Sequence, residues 1–324
     1  MKCASRVSKS VERFMDDARL SEAFLLGGAV LDPLVDEQAK ISDYDICVRD
    51  EESFYRTLQN LERKGCAVSD VMRTHNIYAV ISHPQLGMID FSCMDPEDNG
   101  IYNVERIYAQ FERRGDAYTN TVVDRYGAID GIKRGEVKIV SGPEKEGAYN
   151  VLRRFLALSG KYNLDISPNG VNQETVDCIT ASFKSGYHYV PQDKVRCLSR
   201  LVASLRRVED RPRFVQNLGE QGIFQNAFPD VHKLFVNPLF QNCEKLKDCK
   251  SQKELLELMM ANVDFKDRDA MVDCMLLLSK REKARQDRGV REFVEGMERE
   301  KTSPQRLAKV LYPVFSFVQA KARN

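Results

Sequence analysis

The stretch "LLGGAVLDPLVDEQAKISDYDICV" (residues 25–48) places two adjacent glycines ahead of two aspartates, Asp43 and Asp45, with fourteen residues between the pairs and one residue between the aspartates. The apolar neighbours Ile41, Tyr44, Ile46 and Val48 suit a half-buried strand. In a strand, residues i and i+2 project from the same face, so the two carboxylates converge on one small volume. Their mutual repulsion is costly unless something positive sits between them. A hard divalent cation answers this, because Mg²⁺ takes a few carboxylate oxygens and keeps positions open for water and phosphate. Gly27 and Gly28, after an apolar strand and at the start of a short helix, offer backbone N–H groups that a triphosphate can approach with no Cβ in the way. A glycine pair alone reads as a tight turn, and a lone D-x-D as a solvated strand edge. Together and in this order they are far more specific.

A third acid is available in "GMIDFSC", where Asp90 interrupts an apolar, strand-like run. If that strand lies beside the first, Asp43, Asp45 and Asp90 can hold two Mg²⁺ ions, with Mn²⁺ as a substitute, at roughly 4 Å separation. That arrangement clamps an in-line phosphoryl or nucleotidyl displacement.

The rest of the 324-residue chain frames this site. Hydrophobic content of 43% and charged content of 30% are those of a globular protein with room for two or three domains. No apolar run is long enough for a transmembrane helix, and the charged start "MKCASRVSKSVERFMDDARL" lacks the apolar centre of a signal peptide. The nine scattered cysteines, with no matching histidines at zinc-site spacing, suggest free thiols in a reducing cytoplasm. Charge is divided along the chain: residues 1–140 hold 18 Lys and Arg against 24 Asp and Glu, and the remainder holds 31 against 24. An acidic part joined to a basic part fits a metal-using catalytic domain beside a polyanion-binding one, although charge also fluctuates along any chain.

Residues 1–140 mix strand-like and helical patterns. "AFLLGGAV" and "DYDICVRD" read as strands. "EESFYRTLQNLERKG" reads as an amphipathic helix, and "CAVSDVMRTHNIYAVISHPQLGMIDFSCM" as strands about a turn at His83–Pro84. Turns are expected at Arg114–Gly115 and Tyr126–Gly127, with a short strand ending "GEVKIV". "SGPEKEG" is the expected boundary, and beyond it helical patterns separated by Pro and Gly prevail. The expectation is an α+β chain: a mixed-sheet head over residues 1–142, a helical neck over 143–200 contacting nucleotide and RNA, and an all-helical body over 201–324 binding the acceptor.

These residues resemble the DNA-polymerase-β-like nucleotidyltransferases, and more narrowly the class II CCA-adding enzymes and bacterial poly(A) polymerases. That group's first motif reads G-G-x-V-R-D, a loop, then D-h-D, and here it reads "GGAVLD" and "DYD". "MIDFSCM" supplies the third acid, Asp90. "RRGDAYTNT" is similar to the family segment R-R-D-F-T-x-N-A, so the resemblance implies that Arg113 or Arg114, Asp116 and Asn120 position the nucleotide. "DRYGAIDGI" (Asp124, Gly127, Asp130), "VLRRFLALSGKYNLDIS" and "LGEQGIFQNAFPDV" look like the segments that follow, so the likeness runs from about residue 20 to about residue 232. It implies a metal-dependent transfer of a nucleoside monophosphate from an NTP such as ATP to a hydroxyl, on a tRNA-like 3′ end, in the cytoplasm.

Three departures stand out. Leu31 occupies the place of the family's Arg, and the loop before Asp43 is about two residues longer than the family's. The base-selecting E-D-x-x-R helix is represented only by "EGAYNVLRR", where Arg153 and Arg154 suit phosphate contact rather than base reading. The metal site is therefore expected to work with non-standard base selection. Alternatives are nucleotidylation of a protein side chain, a toxin-like modification of RNA, or a catalytically silent module that binds RNA or a partner. Further cations with aromatics, in "KSGYHYVPQDK", and an arginine stripe, in "SRLVASLRRVEDRPR", are candidate RNA contacts in competition with core packing and a solvated helix face.

Overall fold

A computed structural model describes residues 2–41, 43–73, 76–142, 147–184, 197, 200–201, 204–205, 207–227 and 243–249. The chain divides into two compact units, Met1–Ser141 and Gly142–Asn324.

The first unit is built on a mixed sheet of eight short strands: β1 (Glu22–Leu26), β2 (Tyr44–Val48), β3 (Ala67–Val68), β4 (Met72–Arg73), β5 (Ile77–His83), β6 (Gly87–Cys93), β7 (Tyr108–Arg114) and β8 (Ala117–Val123). Their order is β3-β5-β6-β2-β1-β7-β8, with β4 also on β5. The β2–β6 pair is parallel and the others are antiparallel. Alternation divides the strands between two faces. Ala23, Leu25, Ile46, Ile89, Phe91, Ala109 and Phe111 share one face and are buried. Two helices pack there, α1 (Ser5–Ala18) and α3 (Glu51–Arg63). Phe91 meets Phe14 of α1 at 5.6 Å and stacks on Phe54 of α3 at 5.1 Å with ring planes 2° apart.

Helix α3 is the helix expected from "EESFYRTLQNLERKG". Asp50 caps it by accepting from the Ser53 N–H at 2.7 Å, and Phe54, Leu58 and Leu61 are its buried stripe. Helix α1 was not among the expected elements, although Val7, Val11, Phe14, Met15 and Ala18 recur at helical spacing and are all buried. The short strand expected in "GEVKIV" is reduced to an isolated bridge between Tyr102 and Ile139.

The turn at His83 joins β5 to β6 as expected, and its histidine is structural. The ring is 4% exposed, its Nδ1 accepts from the N–H groups of Gln85 and Leu86, and its Nε2 lies 3.2 Å from Asp17 of α1. An Nδ1 that accepts from two amides leaves Nε2 to carry the hydrogen, so the imidazole ties the hairpin to the helix.

Within the first unit, α2 (Gly28–Val35) follows β1, and α4 (Ala128–Lys133) follows β8. The described part of the second unit is helical: α5 (Ala148–Tyr162), α6 (Gln173–Lys184), α7 (Arg211–Glu220), α8 (Ile223–Ala227) and a 3-10 turn at Cys243–Lys247. Helix α5 anchors this unit. Tyr149 donates to the Ala227 carbonyl, and a Cβ at Gly160 would stand 2.7 Å from the Ser204 Cα, so only glycine admits that approach. Most of the expected cation–aromatic and arginine-stripe segments, and the helices expected after residue 250, lie outside the described residues.

Candidate active site

The parallel β2–β6 pairing sets Asp45 directly opposite Asp90. Partners in register project to one side of a sheet, so both carboxylates leave the face opposite α1 and α3. Ser92 and Met88 flank Asp90 on that face, while Phe24, Leu26 and Cys47 continue it across β2 and β1. Asp43 lies one residue ahead of β2 and is exposed. Asp90 is open to solvent, yet the surrounding sheet removes enough water to raise its carboxyl above the ordinary aspartate range, and the charge of Asp43 raises it further. Asp43 and Asp90 thus interact across the strand pair.

The glycines stand at the same end of the sheet. β1 pairs antiparallel with β2 through Phe24–Cys47 and Leu25–Ile46. Continuing that register sets Asp45 beside Leu26 and Asp43 level with Gly28. Gly27 takes φ 55° and ψ −126°, a conformation for glycine, and its N–H is held by the Ile107 carbonyl at 3.0 Å. Its carbonyl accepts from Val30 and Leu31 at 3.1 and 3.0 Å, so the N–H groups of Gly28 and Ala29 open the helix with no carbonyl of an earlier turn to bond. Nothing lies within 4 Å of where a Cβ at Gly27 would stand. A helix N-terminus with unbonded N–H groups can receive an anion. Leu31 is fully buried in α2, so its side chain serves the core.

The donor set is hard oxygen, and the Asp45–Asp90 register with Asp43 beside it suits Mg²⁺ in chemistry and backbone placement. As the side chains stand, no group of three or more His, Cys, Asp or Glu among the described residues is arranged to hold a metal ion.

The β7–β8 residues are not brought to this site. β7 runs antiparallel to β1, with Leu26 opposite Tyr108 and Glu22 opposite Glu112, so Arg113, Arg114 and Asp116 lie at the end of the sheet remote from Gly27. Arg113 and Asn120 also lie on the face that packs against α1. Arg113 pairs with Asp16 at 3.4 Å, while Asn120 accepts from the Cys3 N–H at 2.8 Å and donates to the Ser8 hydroxyl at 3.2 Å. Arg114, on the acid face, is paired with Glu112 at 2.8 Å, and Asp116 is exposed in the hairpin turn. Tight β7–β8 pairing with its turn at Gly115 carries these residues away from the carboxylates. Asp124 caps α4, accepting from the N–H groups of Ala128 and Ile129 at 2.7 and 3.0 Å. In the second unit, Arg153 donates from Nε and Nη2 to Asn150 Oδ1 at 3.2 and 2.6 Å, and Arg154 follows it on α5.

One residue absent from the expected set shares the acid face. Arg49 is exposed, and its guanidinium lies 4.4 Å over the centre of the Phe24 ring. Its signal in the sequence was parity: 45, 47 and 49 alternate onto one face.

No protein-family profile matches the chain, and no curated protein matches it. Solved structures do. A tRNA-processing enzyme in an apo form is 13% identical with a TM-score of 0.58, covering 93% of this chain and 80% of its own. The Thermotoga maritima CCA-adding enzyme complexed with tRNA is 12% identical with a TM-score of 0.57, covering 100% of this chain and 84% of its own. A CCA-adding enzyme with CTP is also 12% identical at a TM-score of 0.57, covering 100% and 86%. At such identity the likeness is one of fold, and it is the fold expected from the sequence: a nucleotidyltransferase-type mixed sheet followed by helices.

Proposed function

We propose that this chain, with the fold of the CCA-adding enzymes, is a metal-dependent nucleotidyltransferase that moves a nucleoside monophosphate from an NTP to the 3′ hydroxyl of a tRNA-like RNA. The observation that carries the reading is the in-register Asp45–Asp90 pair on one sheet face, with the Gly27–Gly28 helix start one strand away.

Asp43, Asp45 and Asp90 would hold Mg²⁺, for which Mn²⁺ could substitute, and the bound ions would offset charge on the attacking and leaving oxygens of an in-line displacement. The protein's own groups account for the rest. The Gly28 and Ala29 amides receive the β- and γ-phosphates, and the leaving pyrophosphate departs toward them. The acceptor oxygen forms a bond to the α-phosphorus as the bond to the bridging oxygen breaks. Asp90, set opposite Asp45 on the neighbouring strand, takes the acceptor's proton. Arg153 and Arg154 would serve as phosphate contacts, residues 143–200 would supply nucleotide and RNA contacts, and the basic residues 201–324 would bind the RNA.

A second reading is favoured by one feature: "EGAYNVLRR" lacks in register the Asp and Arg that read bases in the CCA-adding enzymes. Transfer to a protein hydroxyl needs no such template. Incubating the protein with Mg²⁺, each α-labelled NTP and total RNA, beside the Asp43→Ala/Asp45→Ala variant, separates the two. Label in RNA with the wild type alone supports the first reading and identifies the NTP. Label on protein supports the second. Intact NTP in every reaction leaves a binding module and sinks both.

A further inference from the structure

We infer that Arg49, whose guanidinium lies 4.4 Å over the centre of the Phe24 ring, is a contact for a backbone phosphate of the RNA acceptor. This deepens the function proposed above and rests on it.

The direction of the reaction singles out the position. In-line displacement places the attacking oxygen and the leaving pyrophosphate on opposite sides of the reacting phosphorus. The helix start at Gly28 is level with Asp43, so pyrophosphate leaves toward the beginning of β2. The acceptor must then enter from the other side of Asp45 and Asp90, over the end of β2. Arg49 stands there: its guanidinium lies over Phe24, which is level with Cys47, two residues or about 7 Å along the strands from the level of Asp45. Phosphates that precede the acceptor's terminal hydroxyl come within reach of that position.

Its surroundings fit the role. Across strand positions of the acid face, the described charges are Glu22, Asp45, Asp90 and Glu112, with Arg114 already paired to Glu112. An incoming polyanion meets repulsion over most of this face, and Arg49 is the exception. On that face Arg114 has a carboxylate within ion-pair distance and Arg49 has none among the described residues, a lack that Arg49 shares with Arg6, Arg13, Arg19, Arg63 and Arg106 elsewhere in the unit. Asp95 is near enough to act with Arg49 on the Cys47 thiol, but it forms no ion pair with it. The guanidinium lies 4.4 Å over the centre of the buried Phe24 ring and the residue is exposed, and a guanidinium's fork of donors matches phosphate oxygens. Lysine would keep the charge and lose the planar fork.

The test uses the full-length protein, a fluorescent tRNA transcript and anisotropy at several salt concentrations, with MgATP affinity measured in parallel. Arg49→Gln is expected to bind the transcript about tenfold more weakly and to lower the slope of log K against log salt by about 0.7 to 0.9, the share of one phosphate. MgATP affinity and melting temperature should stay unchanged, and Arg49→Lys should restore the slope but only part of the affinity. Unchanged RNA affinity and slope in Arg49→Gln would overturn this inference alone, leaving nucleotidyl transfer standing. A wild-type protein that binds no transcript at any salt would overturn it together with the RNA-acceptor reading.

Discussion

Asp90 is disfavoured as an anion by both loss of water and the neighbouring Asp43, and its raised carboxyl has a consequence for stability. A group whose folded pKa exceeds its unfolded value contributes stability that is fully present below the ordinary value of 3.8 and is lost as pH rises through the folded one. At neutral pH in a chelating buffer, Asp90 is therefore a burden on the fold. Asp90→Asn should melt at a higher temperature than wild type in EDTA at pH 7, with the difference vanishing in acid. Millimolar Mg²⁺ should raise the wild type and leave the variant nearly unmoved. A variant that melts lower than wild type in EDTA would contradict the account. The same substitution should lower nucleotidyl transfer by at least about a hundredfold, since it removes a direct ligand where even outer partners are worth ten- to a hundredfold. That Asp45 and Asp90 lie on strands was legible in the sequence because strand pattern is local, whereas their pairing in register is a long-range fact. The roles of Arg113 and Asn120 were not legible. Motif likeness says nothing about which sheet face a residue takes, and the helix that occupies their face was itself unexpected.

At the level of elements, the turn from β1 into α2 sets where phosphate can bind, and its two glycines contribute differently. Gly27 adopts a backbone conformation in which a side chain is strained even though the space is empty, so Gly27→Ala should cost about 1–3 kcal/mol in chemical unfolding. Gly28 is the first helical residue and is not among the residues with positive φ, so Gly28→Ala should keep or slightly raise stability. Its methyl group would stand by the amides offered to the triphosphate, and MgATP affinity should fall. Equal losses of stability in the two variants would show that the turn is wrongly described. The β7–β8 hairpin supplies the complementary case. Asn120→Ala removes both its bonds to α1 and should destabilise the fold by about 1–2 kcal/mol, with kcat per folded molecule unchanged. A lowered kcat with normal stability would return Asn120 to the nucleotide. Strand and helix periodicities made α3, β2 and β6 readable, whereas the neighbours of β7 depend on long-range pairing that no local pattern encodes.

For the molecule as a whole, the division at Ser141 coincides with a division of charge, and the two together make a prediction. Residues 1–140 carry six more acids than bases, and the rest carries seven more bases than acids. The first unit has its own buried layer between the sheet and helices α1 and α3, including Phe14, Phe54 and Phe91, so it has the means to fold alone. Residues 1–141 expressed alone should unfold cooperatively and bind MgATP within a fewfold of the full chain, because every group proposed to meet the triphosphate and metals except Arg153 and Arg154 lies within them. Affinity for a tRNA transcript should drop by orders of magnitude, because a net-negative unit with Arg49 as its one cation without a carboxylate partner on the described acid face releases few counterions. The salt slope locates the polyanion site. If the isolated unit kept the full slope, the RNA contacts would lie on the acidic part and the helical part would need another purpose. If it lost the slope but kept MgATP binding, charge and chemistry would be divided between the units in the way their composition implies.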